Sequence, residues 1–312
     1  MTIAELLCAD WSKDAKKRVC CRVEVSSRRV SFLNESNLTF ETLLHHASLN
    51  ASSTPVCLSL DLAIGVPKAF LELCNSAKDT KSQGFLEWLS SHHAVDSFWA
   101  ETDRHEDWSK SRPFIAIPKG KGSLTAFKTA AGHDLRREID RNFGAKSPFI
   151  VSGIPGTVGS GTRSFWRELA PKLARERSFR IWPFEGTIDE LVKETNIIVA
   201  ETYPAVCYAA VLAEVLPCRQ WLLAKTKYEA REMAVERLGQ LDWLHRACVE
   251  LPDLSICVKS EDHFDAFMAA LAQYRLQSSS LGLFDEANCD PVAEGGILGS
   301  NAIEPGKKVR WP

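Results

Sequence analysis

The chain predicts an α/β fold built on a mixed sheet, and three observations carry that expectation. Short apolar runs of strand length recur at residues 3–10, 55–61 and 196–200. The first is followed by two more strand candidates across short polar turns, the pattern of an antiparallel meander. A helical segment then separates the third candidate from the fourth, giving the order strand, strand, strand, helix, strand. With the first and fourth strands side by side and parallel, their C-terminal ends meet where open α/β sheets carry their sites.

Each element has its own signal. Residues 3–10 suit a buried strand, and Trp11-Ser12-Lys13-Asp14 ends it as a polar turn. Residues 19–25 are rich in β-branched residues and cysteine, and 29–33 follow a Ser-Ser-Arg turn. Residues 39–47 place Phe40, Leu43, Leu44 and Ala47 on one helical face, with Asn37 or Thr39 as the cap. The stretch PVCLSLDLAIGVP, residues 55–67, is the strand around which the rest is organised. Between 69 and 195 the strand signal thins. Helices are expected at 70–76, 82–92, 162–174 and 187–194, with a short strand and its exit at 180–185. Residues 196–200 return to the core as a buried strand, 205–216 form an apolar helix, 227–248 a long amphipathic helix, and 253–258 a strand. Ser260 caps a final helix from Glu261, on which Asp262 and Asp265 share a face. The tail from Cys289, with Glu294-Gly-Gly-Ile, is expected to pack loosely over the site.

Composition narrows the class. The chain is 45% hydrophobic and 25% charged, without repeats or low-complexity tracts, as in soluble globular proteins. No apolar run approaches the roughly 18 residues of a membrane span. Glu5, Asp10 and Lys13 stand where a signal peptide has its apolar core, so the expected location is cytoplasmic. The 10 cysteines lie mostly inside apolar segments, as do Cys8, Cys57, Cys207 and Cys257, without CxxC spacing; buried free thiols fit better than disulfides or a zinc site. A net charge of -2 lacks the basic signature of an obligate nucleic-acid binder. The clusters around Lys16 and Arg175 read as solvated faces.

Asp61 is the anomaly in this pattern, because an unpaired carboxylate among apolar residues costs several kcal/mol to bury. A cation shared with other acids relieves that cost. Three acids sit in similar settings: Asp10 ends AELLCA, Glu201 follows NIIVA, and Asp265 lies in the apolar helix after Ser260. Singly, each fits a cap, a salt bridge or a solvated strand end. Jointly, they are what divalent-metal phosphoryl chemistry requires, where two ions about 4 Å apart activate water and stabilise the leaving oxygen.

Other motifs carry less. The Gly-rich stretch 153–161 precedes a helix as a phosphate loop does, but Thr162-Arg163 stands where Lys-Ser or Lys-Thr belongs. A structural turn is expected there, with phosphate contact by backbone amides as the alternative. His133 and Asp134 are candidates for substrate binding or general base, with a capping turn and a surface histidine as the alternative. There is no Gly-x-Ser-x-Gly elbow.

ADWS with Asp10, SLDLAIGVP with Asp61, VAETYPA with Glu201 and DHFDAFMAALAQY with Asp265, joined by VGSGT, WPFE and EGGIL, together resemble the domain of unknown function 429 family, regarded as predicted nucleases of ribonuclease H-like fold. The resemblance spans Asp10 to about Leu298. It implies a mixed five-stranded sheet of order 3-2-1-4-5 flanked by helices, with a large insertion after the fourth strand. It matches Asp10, Asp61, Glu201 and Asp265 to that fold's acidic positions. Such families often place a glycine after the first aspartate, whereas this chain has Trp11, a bulky residue that would narrow access to the metals.

The expectation is thus one ribonuclease H-like domain over 1–312, with 69–195 elaborating the active-site side, acting as a nuclease with Mg2+ or Mn2+ as cofactor and nucleic acid as partner. Asp10 and Asp61 would hold the metals, Glu201 complete their ligand set, and Asp265 hold the second ion or orient water. Lys119, Lys121, His133 and Arg136 are the expected substrate-binding residues, with Trp99, Trp108, Arg112 and Arg137 adding rings and cations. Two other readings stand beside it. An ATP-dependent phosphotransferase of the actin-like or sugar-kinase type shares the core strand order but calls for glycines after the first strand. A non-catalytic nucleic-acid-binding module is favoured by the missing basic character.

Overall fold

The computed structural model describes residues 3–50, 54–76, 83–120, 122–175, 177–212, 214–215, 221–278, 282–284, 286, 289–302 and 309–310. Its strands in chain order are β1 (Glu5–Asp10), β2 (Val19–Glu24), β3 (Arg29–Phe32), β4 (Val56–Asp61), β5 (Ile115–Ala116), β6 (Ile150–Ser152), β7 (Arg180–Ile181), β8 (Ile197–Thr202), β9 (Trp221–Leu222) and β10 (Val309–Arg310). The chain forms two compact units. Met1–Asp61, Ser178–Asn288 and Ile297–Pro312 make the first, and Leu62–Arg177 with Cys289–Gly296 the second.

The first unit is built on a mixed six-stranded sheet of order β3-β2-β1-β4-β8-β7. β1 and β2 pair antiparallel, Cys8 opposite Cys21, across a turn in which the Asp14 carboxylate accepts from the Lys16 amide at 3.1 Å. On its other side β1 runs parallel to β4, Asp10 aligned with Asp61, and β4 runs parallel to β8, Asp61 aligned with Thr202. The first five residues of β1 and β4 and all six of β8 are buried. Burial of both faces is why these strands read as continuous apolar runs instead of alternating ones. The sheet has one strand more than expected, because Arg180–Ile181 pairs with β8 as a parallel edge. That pairing also draws residues 180–195, counted in the expected insertion, into the first unit.

The helix Glu261–Gln277 positions the site. Ser260 caps it, accepting from the His263 amide at 3.3 Å, and the helix packs on β1, β2 and the helix Pro204–Leu212. Phe264, Phe267, Met268 and Leu271 are fully buried on it, each worth about 1.5–3 kcal/mol relative to exposure. Gln273 Nε2 donates to Ser59 Oγ at 2.5 Å. This helix therefore covers the sheet face that carries Ser59 and, two residues on, Asp61.

Two expected elements differ. The helix expected over 227–248 is broken into Tyr228–Leu238 and Asp242–Ala247, and Gly239, the poorest helix former after proline, stands at the break. The strand expected at 253–258 is instead the helix Ser255–Lys259. The Asp253 carboxylate accepts from both the amide and the hydroxyl of Ser255, at 2.9 and 2.8 Å, and these local bonds start a helical turn.

The second unit follows β4 directly in the chain. It pairs β5 with β6 and gathers an aromatic core of Phe70, Trp88, Phe98, Phe114, Phe149 and Trp166, the rings of Phe70 and Phe149 lying 4.6 Å apart. At Gly159 a Cβ would stand 2.3 Å from the Ile150 carbonyl oxygen, so the Gly-rich stretch has a structural task in seating its helix against β6. Of the tail expected to pack loosely, the part around Ala293 and Glu294 is tightly held, and residues 303–308 and 311–312 lie outside the described residues. The Glu294 carboxylate accepts from the amides of Lys68 and Glu138 at 3.1 and 2.6 Å, and Ala293 accepts from the Val66 amide at 2.8 Å. Among the described residues no helix is long and apolar enough to cross a membrane. Cys8, Cys20, Cys21, Cys57, Cys207 and Cys257 are buried free thiols.

Candidate functional site

Three of the four expected acids come together in the first unit. Asp10 and Asp61 end adjacent parallel strands in the same register row, and Asp265 reaches them from the first turns of the helix Glu261–Gln277. Each offers a carboxylate oxygen, and these oxygens lie within 4.8 Å of one another. Asp10 and Asp61 keep an edge open to solvent, whereas Asp265 is 2% exposed.

Glu201 does not join them. In β8 it aligns with Leu60, and Thr202 is the residue in the row of Asp10 and Asp61. Successive side chains in a strand point to opposite faces, so a one-residue offset turns Glu201 away from the group. Glu201 is 3% exposed and its carbonyl accepts from the Leu298 amide at 3.0 Å. Its charge still helps to raise the pKa of Asp61.

Sequence reasoning missed the cation of the site. Lys225 Nζ donates to Asp265 Oδ2 and lies 3.4 Å from Glu261 Oε1. The Tyr208 hydroxyl donates to the other oxygen, Asp265 Oδ1. Lys225 is itself held in place, since Arg231 Nη1 donates to its carbonyl at 2.5 Å while Arg231 Nε donates to the Val258 carbonyl at 2.9 Å. Arg231 is 6% exposed, so the turn carrying Lys225 is pinned to the helix Ser255–Lys259 by a buried guanidinium. A sequence signal existed: several acids in apolar settings require compensation, and a lysine is one way to supply it.

The electrostatics follow from crowding. Burial, followed by the charges of Asp61 and Asp265, holds Asp10 well above the usual carboxylate range. Burial pushes Asp61 up to about 7, with Lys225 opposing the shift. Asp265 is raised by burial in spite of Lys225 and Tyr208. Burial alone would lower Lys225, but Asp265, Asp61 and Asp10 together lift it far above the ordinary lysine value, so it stays charged. Tyr208 is raised by burial and then by Asp265, and it remains a neutral phenol donor. The group carries more negative charge than its surroundings neutralise, which is a setting that gains from a bound cation.

The expected substrate-binding residues belong to the second unit. Lys119 is exposed, and Lys121 lies outside the described residues. His133 Nδ1 is 2.6 Å from the Asp134 carbonyl, with its ring near Phe70 and Trp108. Asp134 accepts from the Arg136 amide at 3.0 Å and meets its guanidinium at 3.5 Å, so His133 and Arg136 form a local turn. Arg137, expected to add a cation for phosphates, is 1% exposed and paired with Asp140 at 2.7 Å. Trp99 is 5% exposed and packs against Phe98, which leaves little ring for base stacking. In the first unit Trp11 is likewise buried, under the Arg18 guanidinium at 3.7 Å.

No known protein family, curated protein or solved structure matches the chain.

Proposed function

We propose that the protein hydrolyses phosphodiester bonds with a divalent cation, Mg2+ or Mn2+, held by Asp10, Asp61 and Asp265, and that nucleic acid is the substrate. The observation that carries this reading is the meeting of three carboxylates, their oxygens within 4.8 Å, at the C-terminal ends of two parallel strands. The donor set fits the ion, because hard carboxylate oxygens suit Mg2+ and Mn2+, and among the described residues the group includes no imidazole or thiolate. When bound, such an ion acidifies a water and stabilises charge on phosphate oxygens. The chain's own residues do the rest. Tyr208 orients Asp265, Lys225 offsets the repulsion among the acids and offers a charge to a phosphate, and Glu201 acts on Asp61 through its field. The order β3-β2-β1-β4-β8, with acids ending β1 and β4, supports a ribonuclease H-like fold and with it kinship to the domain of unknown function 429 family.

One observation favours a second reading. The Lys225–Asp265 ion pair already neutralises part of the cluster, as it would in a non-catalytic nucleic-acid-binding module that keeps the fold.

Labelled single-stranded and duplex DNA and RNA, incubated with the protein and Mn2+ or Mg2+, test the proposal. Cleavage is expected that EDTA abolishes and that Asp10→Asn and Asp61→Asn each reduce by about 100-fold or more. Absence of cleavage with retained nucleic-acid binding would select the non-catalytic module, and ATP turnover measured alongside would select the phosphotransferase.

A further inference from the structure

Two-ion phosphodiesterase chemistry places one cation on each side of the scissile bond. The acidic group of this chain already contains a positive charge at one end. Lys225 Nζ sits on Asp265 Oδ2 and near Glu261 Oε1, whereas Asp10 and Asp61 pair along the strand row at the other end.

From this arrangement we propose that Lys225 takes the place of a second metal ion, so that the centre binds a single divalent cation among Asp10, Asp61 and Asp265, with the ammonium supplying the other positive charge to a phosphate. The inference rests on the cation-dependent reading above and specifies its stoichiometry.

Two features support it. Asp265 uses both oxygens on protein donors, Oδ1 on the Tyr208 hydroxyl and Oδ2 on Lys225. A carboxylate has about four lone-pair sites, so the two protein donors already occupy about half of those on Asp265. The ammonium is also fixed in position. Arg231, buried and bonded to both the Lys225 and Val258 carbonyls, anchors the backbone from which Lys225 extends.

Equilibrium binding of Mn2+, followed by the paramagnetic signal of the free ion, reads the stoichiometry directly, with circular dichroism to check that each variant is folded. The wild type is expected to bind one ion per chain, Lys225→Arg one, and Lys225→Met two, since removal of the ammonium opens its place on Asp265. Two ions in the wild type, or a folded Lys225→Met variant that still binds one, would overturn the inference while leaving the cation-dependent reading intact. No ion in the wild type would overturn both. If Lys225→Met fails to fold, the wild-type and Lys225→Arg stoichiometries still decide, because two ions in either one contradict the proposal.

Discussion

Asp10 and Asp61 are register partners on adjacent parallel strands, so their carboxyl groups project side by side from one face of the sheet. A slip of one residue between β1 and β4 would turn one carboxyl to the other face and bring Ala9 or Leu60 into its place. The hydrophobic burial that fixes the strand register therefore also fixes the repulsion between the two acids, and Lys225 is the group that offsets it.

Burial of these acids has a pH signature. Asp61 titrates at about 7 in the folded chain, against about 3.9 when unfolded. The stabilising contribution of its protonated form is complete below about pH 4. It is lost as pH rises towards 7, because the unfolded chain gives up its proton first. Asp10 and Asp265, raised chiefly by burial, act in the same direction. Urea unfolding of the metal-free protein should show this fall, and Asp61→Asn should flatten it and leave stability at pH 7.5 unchanged or raised by about 1 kcal/mol. Added Mn2+ should stabilise the wild type more than the variant. Equal pH slopes in the two proteins would contradict this account of Asp61.

Arg137 offers a test in the second unit. Its guanidinium and the Asp140 carboxylate are each 1% exposed and 2.7 Å apart, and Arg137 Nη1 also donates to the Glu294 carbonyl at 2.9 Å. Arg137→Met should cost about 3–5 kcal/mol by leaving Asp140 charged and unpaired. Arg137→Lys should recover only part of that loss, since an ammonium cannot reproduce the planar fork. Denaturant unfolding of both variants measures this, and a cost under about 1 kcal/mol for the Met variant would contradict the structural role.

Gly65 tests how the tail segment is held. Its φ is +137°, and a Cβ there would lie 2.4 Å from the Glu294 carbonyl oxygen. Gly65→Ala should therefore destabilise by more than the roughly 1–3 kcal/mol of an unfavourable backbone conformation alone, with limited proteolysis cutting earlier near Glu294. Wild-type stability in that variant would mean that the segment is not packed against Gly65.

What was legible in the sequence were charges in the wrong company. Asp10 and Asp61 stood out because each closes an apolar run, and a run buried on both faces can hold a charge only at its end. The same rule placed Glu201 with them and failed by one residue, because an apolar run marks where a strand lies but not which of its last two residues faces the site. Lys225 gave no local signal. It sits in a turn after a two-residue strand, 40 residues from Asp265, and only the fold reveals which of many lysines returns to the acids. The break at Gly239 and the helix begun by Asp253 were visible as residue types, yet the apolar spacing through them outweighed those signs.

The most direct test of the central claim is where manganese binds. A crystal of the protein grown or soaked in Mn2+ should show anomalous density among the carboxylates of Asp10, Asp61 and Asp265, within the roughly 2.0–2.2 Å expected of hard oxygen ligands. That density should vanish in Asp61→Asn. A crystal with no density at that place under saturating Mn2+, or with the carboxylates too far apart to share an ion, would contradict the account.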